Sequence, residues 1–407
     1  MTTADFETKT IEEVIEILID YRGKTPLKAK EGIKLITAKV IKDGWILEGN
    51  HEYITEETYK FWMTRGFPQK GDVLITTEAP LGEVALLRTS EKVALAQRVI
   101  LLRGKPKILS QEYLLYALKT LFVQRQLYER AASTTVLGIK QSELIQVKIP
   151  LPPLAEQKRI AAILEKCDRL RRTRRYTLQL SDTFLQSVFL EMFGDPVTNP
   201  MGWEVMELSL LGQLDRGRSK HRPRNAPELF GGYYPFIQTG DVANSSGYIR
   251  TYKQTYSEQG FKQSKLWSKG TLCITIAANI AKTGILTFDA CFPDSIVGFV
   301  PNKKTNTEFI QQWFSFIQQN LEDTAPESAQ KNINLEILRG LGVPLPPLPL
   351  QEKFAQIVQK YERLRTQQRE SDRQAEHLFQ TLLHRAFRGE LTPQDLEDEP
   401  TSVLSEH

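Results

Sequence analysis

Residues 150–171 read PLPPLAEQKRIAAILEKCDRLR, and residues 344–365 read PLPPLPLQEKFAQIVQKYERLR. Shifted by 194 positions, 12 of these 22 residues are identical without a gap. The likeness continues more weakly to Phe193 and Phe387, which keep the same separation. Stacked solenoid repeats run to about 20–50 residues, so a period this long marks a duplicated half-molecule instead. Each copy opens on a proline pair, Pro152-Pro153 or Pro346-Pro347. Such a pair cannot sit inside a helix and forces its predecessor into extended backbone. The prolines therefore stop one element and admit the next.

The stretch after each proline pair reads as helix. Neither Gly nor Pro occurs between Ala155 and Phe193, or between Leu350 and Phe387. Apolar residues recur at Ile160, Ile163, Cys167 and Leu170, then at Phe184 and Val188. The second copy repeats them at Phe354, Ile357, Tyr361 and Leu364, then at Leu378 and Leu382. Alternating steps of three and four make a heptad seam. Its middle reads as polar rather than apolar, with Arg174, Thr177 and Ser181 set against Gln368, Ser371 and Ala375. Each helix should be about 57 Å long at 1.5 Å per residue. A helix of that length needs a partner for its apolar stripe, and the other helix of the chain is the obvious one. The predicted interface sets Ile160, Ile163, Leu170, Phe184 and Val188 against Phe354, Ile357, Leu364, Leu378 and Leu382, antiparallel.

Upstream of each helix lies a strand-rich module. Residues 1–149 carry KLITAKVI, DVLITTE, EVALLR and VALAQRVILL, punctuated by glycines, then one helix over 111–131 capped by Ser110. Residues 203–343 repeat the style with YPFIQTGDV, TLCITIA, GILTF and SIVGFV, then a helix over 308–321. The expected class is α+β with a curved or barrel-like sheet in each module. The boundaries are a first module over 1–149, proline hinge and helix over 150–193, linker and second module over 194–343, second hinge and helix over 344–390, and an acidic, disordered tail over 391–407.

The chain of 407 residues is 41% hydrophobic and 25% charged, ordinary for a globular protein, with a net charge of only +4. Cys167, Cys273 and Cys291 are too few and too scattered for a disulfide framework and suit a reducing compartment. No apolar run approaches the ~20 residues of a membrane helix, and the first residues do not read as a signal peptide. The expectation is a cytoplasmic protein that does not contact a membrane.

Enzyme signatures are missing. There is no G-x-x-x-x-G-K-[ST], no HExxH, no Cys-x-x-Cys and no [DN]PP[YF]. His51, His221, His377, His384 and His407 have no metal-ligand spacing. Pro293-Asp294 is followed by no acid-x-Lys and reads as a turn. No catalytic or metal-binding residue is expected. Basic residues offer more. DRGRSKHRPR over 215–224 sets Arg216, Arg218, Lys220, Arg222 and Arg224 in one loop, and YRGKTPLKAK over 21–30 sets Arg22, Lys24, Lys28 and Lys30 at the matching place in the first module. Two cationic loops at equivalent places in duplicated modules suit phosphate contact combined with base reading, the alternative being solvated charge. A third cluster, Lys166, Arg169, Arg171, Arg172, Arg174 and Arg175, lies mid-helix, where a solvated face and contact with DNA phosphates both remain open.

This arrangement resembles the specificity subunits of type I restriction–modification systems. The resemblance rests on IPLPPLAEQKRIAAIL at 149–164 and VPLPPLPLQEKFAQIV at 343–358, with RGKTP at 22–26, DGWI at 43–46, KGDVLIT at 70–76 and YPFIQTGDV at 234–242. It covers nearly the whole chain. The second hinge departs from the first, reading PLPL at 347–350 against PLAE at 153–156. The resemblance implies two strand-rich target recognition domains joined by two long conserved helices in an antiparallel coiled coil, related by a pseudo-two-fold internal repeat. It implies a non-catalytic subunit that binds double-stranded DNA, each module reading one half of a split, asymmetric site and the helix pair setting the gap. It further implies two methyltransferase subunits with S-adenosylmethionine, and restriction–translocase subunits that use ATP and Mg, with no cofactor in this chain. The readings left beside it are a stand-alone bipartite DNA-binding adaptor or antirestriction decoy, and a hydrolase with an unrecognised site.

Overall fold

The computed structural model describes residues 6–21, 25–49, 51–132, 136–181, 183–277, 280–324 and 333–391. The expected tail over 391–407 lies outside them except for Leu391, which is buried. Two compact units result, Met1–Arg175 with Ser371–His407, and Tyr176–Glu370. Each unit therefore holds one module and a part of both long helices.

In the first unit the strands Ile15–Asp20, Val99–Gly104, Val73–Thr77 and Leu81–Leu86 form one antiparallel sheet in that order. Its runs are continuously apolar because both faces are covered. Side chains alternate across a strand, so Val73, Ile75, Ile100, Leu102 and Val84 enter one core. Their neighbours Leu74, Ala85, Val99 and Leu101 enter another. The first core is closed by the helices and the second by a small sheet, in which Ile33–Ile36 runs antiparallel to Glu52–Ile54 and parallel to Val93–Leu95.

The second unit repeats the scheme. Gly212–Arg216, Ile296–Pro301, Leu272–Thr275 and Thr283–Leu286 take the same order, with Gly247–Ile249 added in parallel at the edge. Leu272, Ile274, Val297 and Phe299 face the helix Thr307–Thr324, while Cys273, Ile296 and Leu286 face the other way. The main sheets are open, with edge strands at both ends, rather than barrels. Each module is also clamped shut at its ends: Thr8–Thr10 pairs with Lys148–Pro150, and Val205–Glu207 with Gly342–Pro344.

The long helices pair antiparallel in both units. In the first, Arg171 meets Glu376 and Phe379. In the second, Phe184 stacks on Tyr361 at 5.5 Å and Phe189 meets Phe354 edge-on at 5.5 Å. Beyond the barrel, three further sequence expectations need correction. The first helix is interrupted, running Leu154–Ser181 and then Phe184–Phe193, whereas Leu348–Ala386 is unbroken over 39 residues. Between the two pieces Thr183 is a turn residue, and Asp182 lies outside the described residues. The helix expected over 111–131 likewise breaks at Thr120, into Gln111–Lys119 and Leu121–Arg130. The Thr120 hydroxyl donates to Ala117 O at 2.7 Å and caps the second piece. Ser110 caps the first piece as expected.

The third correction concerns the seam. Ile160, Ile163, Phe354 and Leu382 are buried, and Leu170, Val188 and Ile357 are half-buried. Leu364 and Leu378, however, are 59% and 42% exposed, and Phe184 keeps 46% of its surface in water despite its stacking. The buried stripe of the second helix runs instead through Phe354, Val358, Tyr361, Ala375, Phe379, Leu382, Leu383 and Ala386. A two-helix seam is narrow, but here the helices also close the module cores. The stripe widens and rotates toward the sheets, leaving Leu364 and Leu378 on the far side.

Candidate nucleic-acid interface

The loop after Gly212–Arg216 begins at Gly217, whose backbone presses so closely on the Phe292 and Pro293 carbonyls that a Cβ would collide with both. The loop then stays tied to the module. Gly217 N–H donates to Ile296 O at 2.9 Å and Arg218 N–H to Phe292 O at 3.1 Å. Ser264 Oγ donates to Arg218 O at 3.0 Å. Gln263 Oε1 accepts from the backbone N–H groups of both Lys220 and His221, at 2.5 and 2.9 Å. This loop is thus held by its main chain while its charged side chains face outward, as a preorganised phosphate-contacting surface requires.

Its five cations fall into two classes. Arg222 Nη1 donates to Ser219 O and His221 O, both at 2.8 Å, and so braces the loop itself. Arg224 Nη2 lies 2.7 Å from Asp294 Oδ2, which neutralises much of its charge. Arg216, Arg218 and Lys220 are exposed, and their charged groups make no ion pair or hydrogen bond among the described residues. The strand Phe230–Phe236 that follows carries a bulge between Phe230 and Tyr234, and Tyr233 stands on it 93% exposed. Composition alone does not reveal Tyr233; the glycine pair Gly231-Gly232 before it is the only trace, since bulges favour glycine.

In the first module Lys28 pairs with Glu52 at 2.9 Å and remains half exposed, while Lys30 is exposed. Arg22 and Lys24 lie outside the described residues. Of the mid-helix cluster, Arg171 is neither solvated nor available to DNA. It is 2% exposed and contacts Asp168 and Asp43, each at 2.6 Å, and Glu376 at 2.8 Å. Arg175 joins Asp43 and Glu376, and Arg172 lies over the Trp45 ring at 3.6 Å. Sequence reading missed these partners because heptad flanks are ordinarily solvated. The signal lay in the acid and arginine that recur 194 positions apart, Asp168 with Arg171 and Glu362 with Arg365.

No group of three or more His, Cys, Asp or Glu side chains that could hold a metal ion occurs among the described residues. Cys167, Cys273 and Cys291 carry free thiols, and burial pushes all three up from the usual thiol range. No described helix is long and apolar enough to cross a membrane.

The family model for the type I restriction modification DNA specificity domain matches this chain twice, over residues 3–179 and 200–375. A Methanocaldococcus jannaschii protein described as the specificity subunit of the type I restriction enzyme MjaX is 24% identical over 410 residues, covering 95% of this chain and 94% of its own. The EcoBI specificity subunit of Escherichia coli is 23% identical, covering 93% of this chain and 84% of its own. Among solved structures, the type I restriction–modification S subunit from M. genitalium superimposes with a TM-score of 0.55 at 16% identity, over 94% of this chain and 96% of its own. That likeness is one of fold.

Proposed function

The chain belongs to the type I restriction modification DNA specificity family, and from that premise we propose that its two modules each read one half of a split, asymmetric DNA site. It is the sequence-recognising, non-catalytic subunit of such a system, acting with partner subunits. The observation that carries the half-site reading is the doubled module. Two copies of one scaffold present loops of different sequence, DRGRSKHRPR in the second and YRGKTPLKAK in the first. Identical modules would read a palindrome; unequal ones read unlike halves. Arg216, Arg218 and Lys220 supply phosphate or base contacts in the second module, with Arg222 and Arg224 shaping the loop. Arg22, Lys24 and Lys28 play the corresponding part in the first.

Two methyltransferase subunits bring S-adenosylmethionine to the adenines beside the half-sites, and restriction–translocase subunits bring ATP and Mg. The adaptor, decoy and hydrolase readings are not favoured beside the double family match.

Replacing residues 203–343 with the corresponding module of a relative, and mapping N6-methyladenine in cells that also express the methyltransferase, tests the reading. One half of the methylated motif should change and the other persist. A change in both halves would overturn it.

A further inference from the structure

Asp43 and Ser246 both hold left-handed backbone, each at φ 50°, and each precedes a glycine at positive φ, Gly44 at 92° and Gly247 at 101°. The two modules thus carry the same sharp turn, and both turns grip the long helix beside them. In the first unit Trp45 Nε1 donates to Asp168 Oδ2 at 3.1 Å, and Asp43 is held by Lys119 at 2.7 Å and Arg171 at 2.6 Å. Arg171 also reaches Glu376 at 2.8 Å and lies over the Phe379 ring at 4.1 Å. In the second unit Glu362 and Arg365 occupy the positions 194 residues further on. Arg250, two residues beyond Tyr248, lies 2.7 Å from Glu362; Arg365 lies 3.6 Å from Glu362 and donates to Ser246 O at 3.5 Å.

Compared with apolar residues packed in its place, such a pair adds little to stability, because taking charges out of water offsets most of their attraction, although removing one partner alone leaves the other unpaired; what the pair contributes is direction. A guanidinium fork bonds only along fixed vectors, which neither apolar contact nor lysine reproduces. Each module also has a polar anchor at its proline hinge, and the second adds a bond from Gln359 Nε2 to Glu308 Oε1 at 3.2 Å. Gln157 ties the first hinge to Ile108 and Ser110, and Gln351 ties the second to Lys304 and Thr305. Arg171 lies 14 residues beyond Gln157, and Arg365 the same distance beyond Gln351. At 1.5 Å per residue the two anchors are about 21 Å apart along the helix. One anchor makes a pivot; two define an angle.

We propose that Asp168 with Arg171, and Glu362 with Arg365, are positioning residues that fix the angle of each DNA-reading module on its helix, and so the spacer length the protein accepts between half-sites. The proposal rests on the half-site reading above. A tilt of about 10° acting over about 20 Å displaces a reading surface by about 3.5 Å, close to one base-pair step. Without the arginine, neighbouring spacers become reachable while the bases read within each half-site stay the same.

The test uses the full chain assembled with its methyltransferase subunits. The substrate is a duplex library carrying the wild-type half-sites with spacers from three base pairs shorter to three longer. Wild type should methylate one spacer. Arg171→Ala and Arg171→Lys should spread methylation to spacers one base pair away, with discrimination reduced on the order of tenfold, and Arg365→Ala should do the same. Leu102→Ala, in the sheet core away from the clamp, should lower stability and keep one spacer. A folded Arg171→Ala that keeps one spacer overturns the proposal, as does equal spreading in Leu102→Ala. Should Arg171→Ala not fold, retention of one spacer by both Arg171→Lys and Asp43→Asn overturns it equally. If wild type shows no bipartite motif at all, the half-site reading itself falls, and the clamp with it.

Discussion

Gln157 and Gln351, 194 positions apart, make the same bond: each donates from Nε2 to the carbonyl of the proline five residues earlier, Pro152 or Pro346, at 2.8 Å. Both are buried, and each also reaches the loop that leads into its module's helix. Gln157 Oε1 accepts from Ser110 N–H at 2.9 Å, and Gln351 Oε1 accepts from the Thr305 hydroxyl at 2.8 Å. An amide is required because the site offers acceptors to one end and a donor to the other. The doubled PLPPLxxQ stretch is therefore a joint between module and helix.

Gln157→Leu keeps the volume of this joint and removes its bonds. Ser110 N–H and the carbonyl of Pro152 are then buried without partners. The expected loss is about 3 kcal/mol, since each unsatisfied buried group costs about 1–3. Urea denaturation checks it; a midpoint unchanged from wild type would contradict the joint.

The rotated stripe predicts a contrast within one turn of the second helix. Phe379 is fully buried beneath Arg171 and beside Tyr116, whereas Leu378 is 42% exposed. Phe379→Ala should cost about 3–5 kcal/mol, and Leu378→Ala or Leu364→Ala less than about 1. Equal losses at Phe379 and Leu378 would restore the simple heptad seam.

The two classes of loop cation predict different salt behaviour. Replacing Arg216, Arg218 and Lys220 together by alanine should flatten the dependence of log affinity on log salt by about 0.9 for each phosphate no longer neutralised. Arg224→Ala alone should move the slope little, because Asp294 already balances its charge. Filter binding or anisotropy across a salt series separates them; an unchanged slope in the triple variant leaves the loop a solvated run.

Asp43 predicts a pH dependence. Burial alone would raise its carboxyl, but Lys119 and Arg171 outweigh burial and hold it below the ordinary aspartate value of 3.8. A depressed folded value contributes stability that is fully present above the unfolded value and is lost as pH falls through the folded one. Wild type should therefore exceed Asp43→Asn in stability at neutral pH, and the gap should close only below about pH 4. Thermal melts from pH 7 to pH 3 read this directly. A gap that widened on acidification would mean that Asp43 is not the held carboxylate.

The duplication, the two modules, the hinge and the antiparallel helix pair were all legible in the chain, because each obeys a local rule. Prolines exclude helix, alternating steps of three and four mark a helical stripe, and a repeat of 194 residues can be counted. Which way the stripe faces was not legible. Leu364 and Leu378 fit a heptad as well as Val358 and Phe379 fit the observed stripe. Spacing records that one face is apolar, not how many neighbours share it. The fate of charge was equally hidden. Arg171 and Arg218 look alike in the sequence, yet one is buried among three carboxylates and the other is exposed on a loop held by its backbone. Burial and pairing depend on residues as remote as Asp43 and Glu376, which only the tertiary fold brings within 3 Å of Arg171.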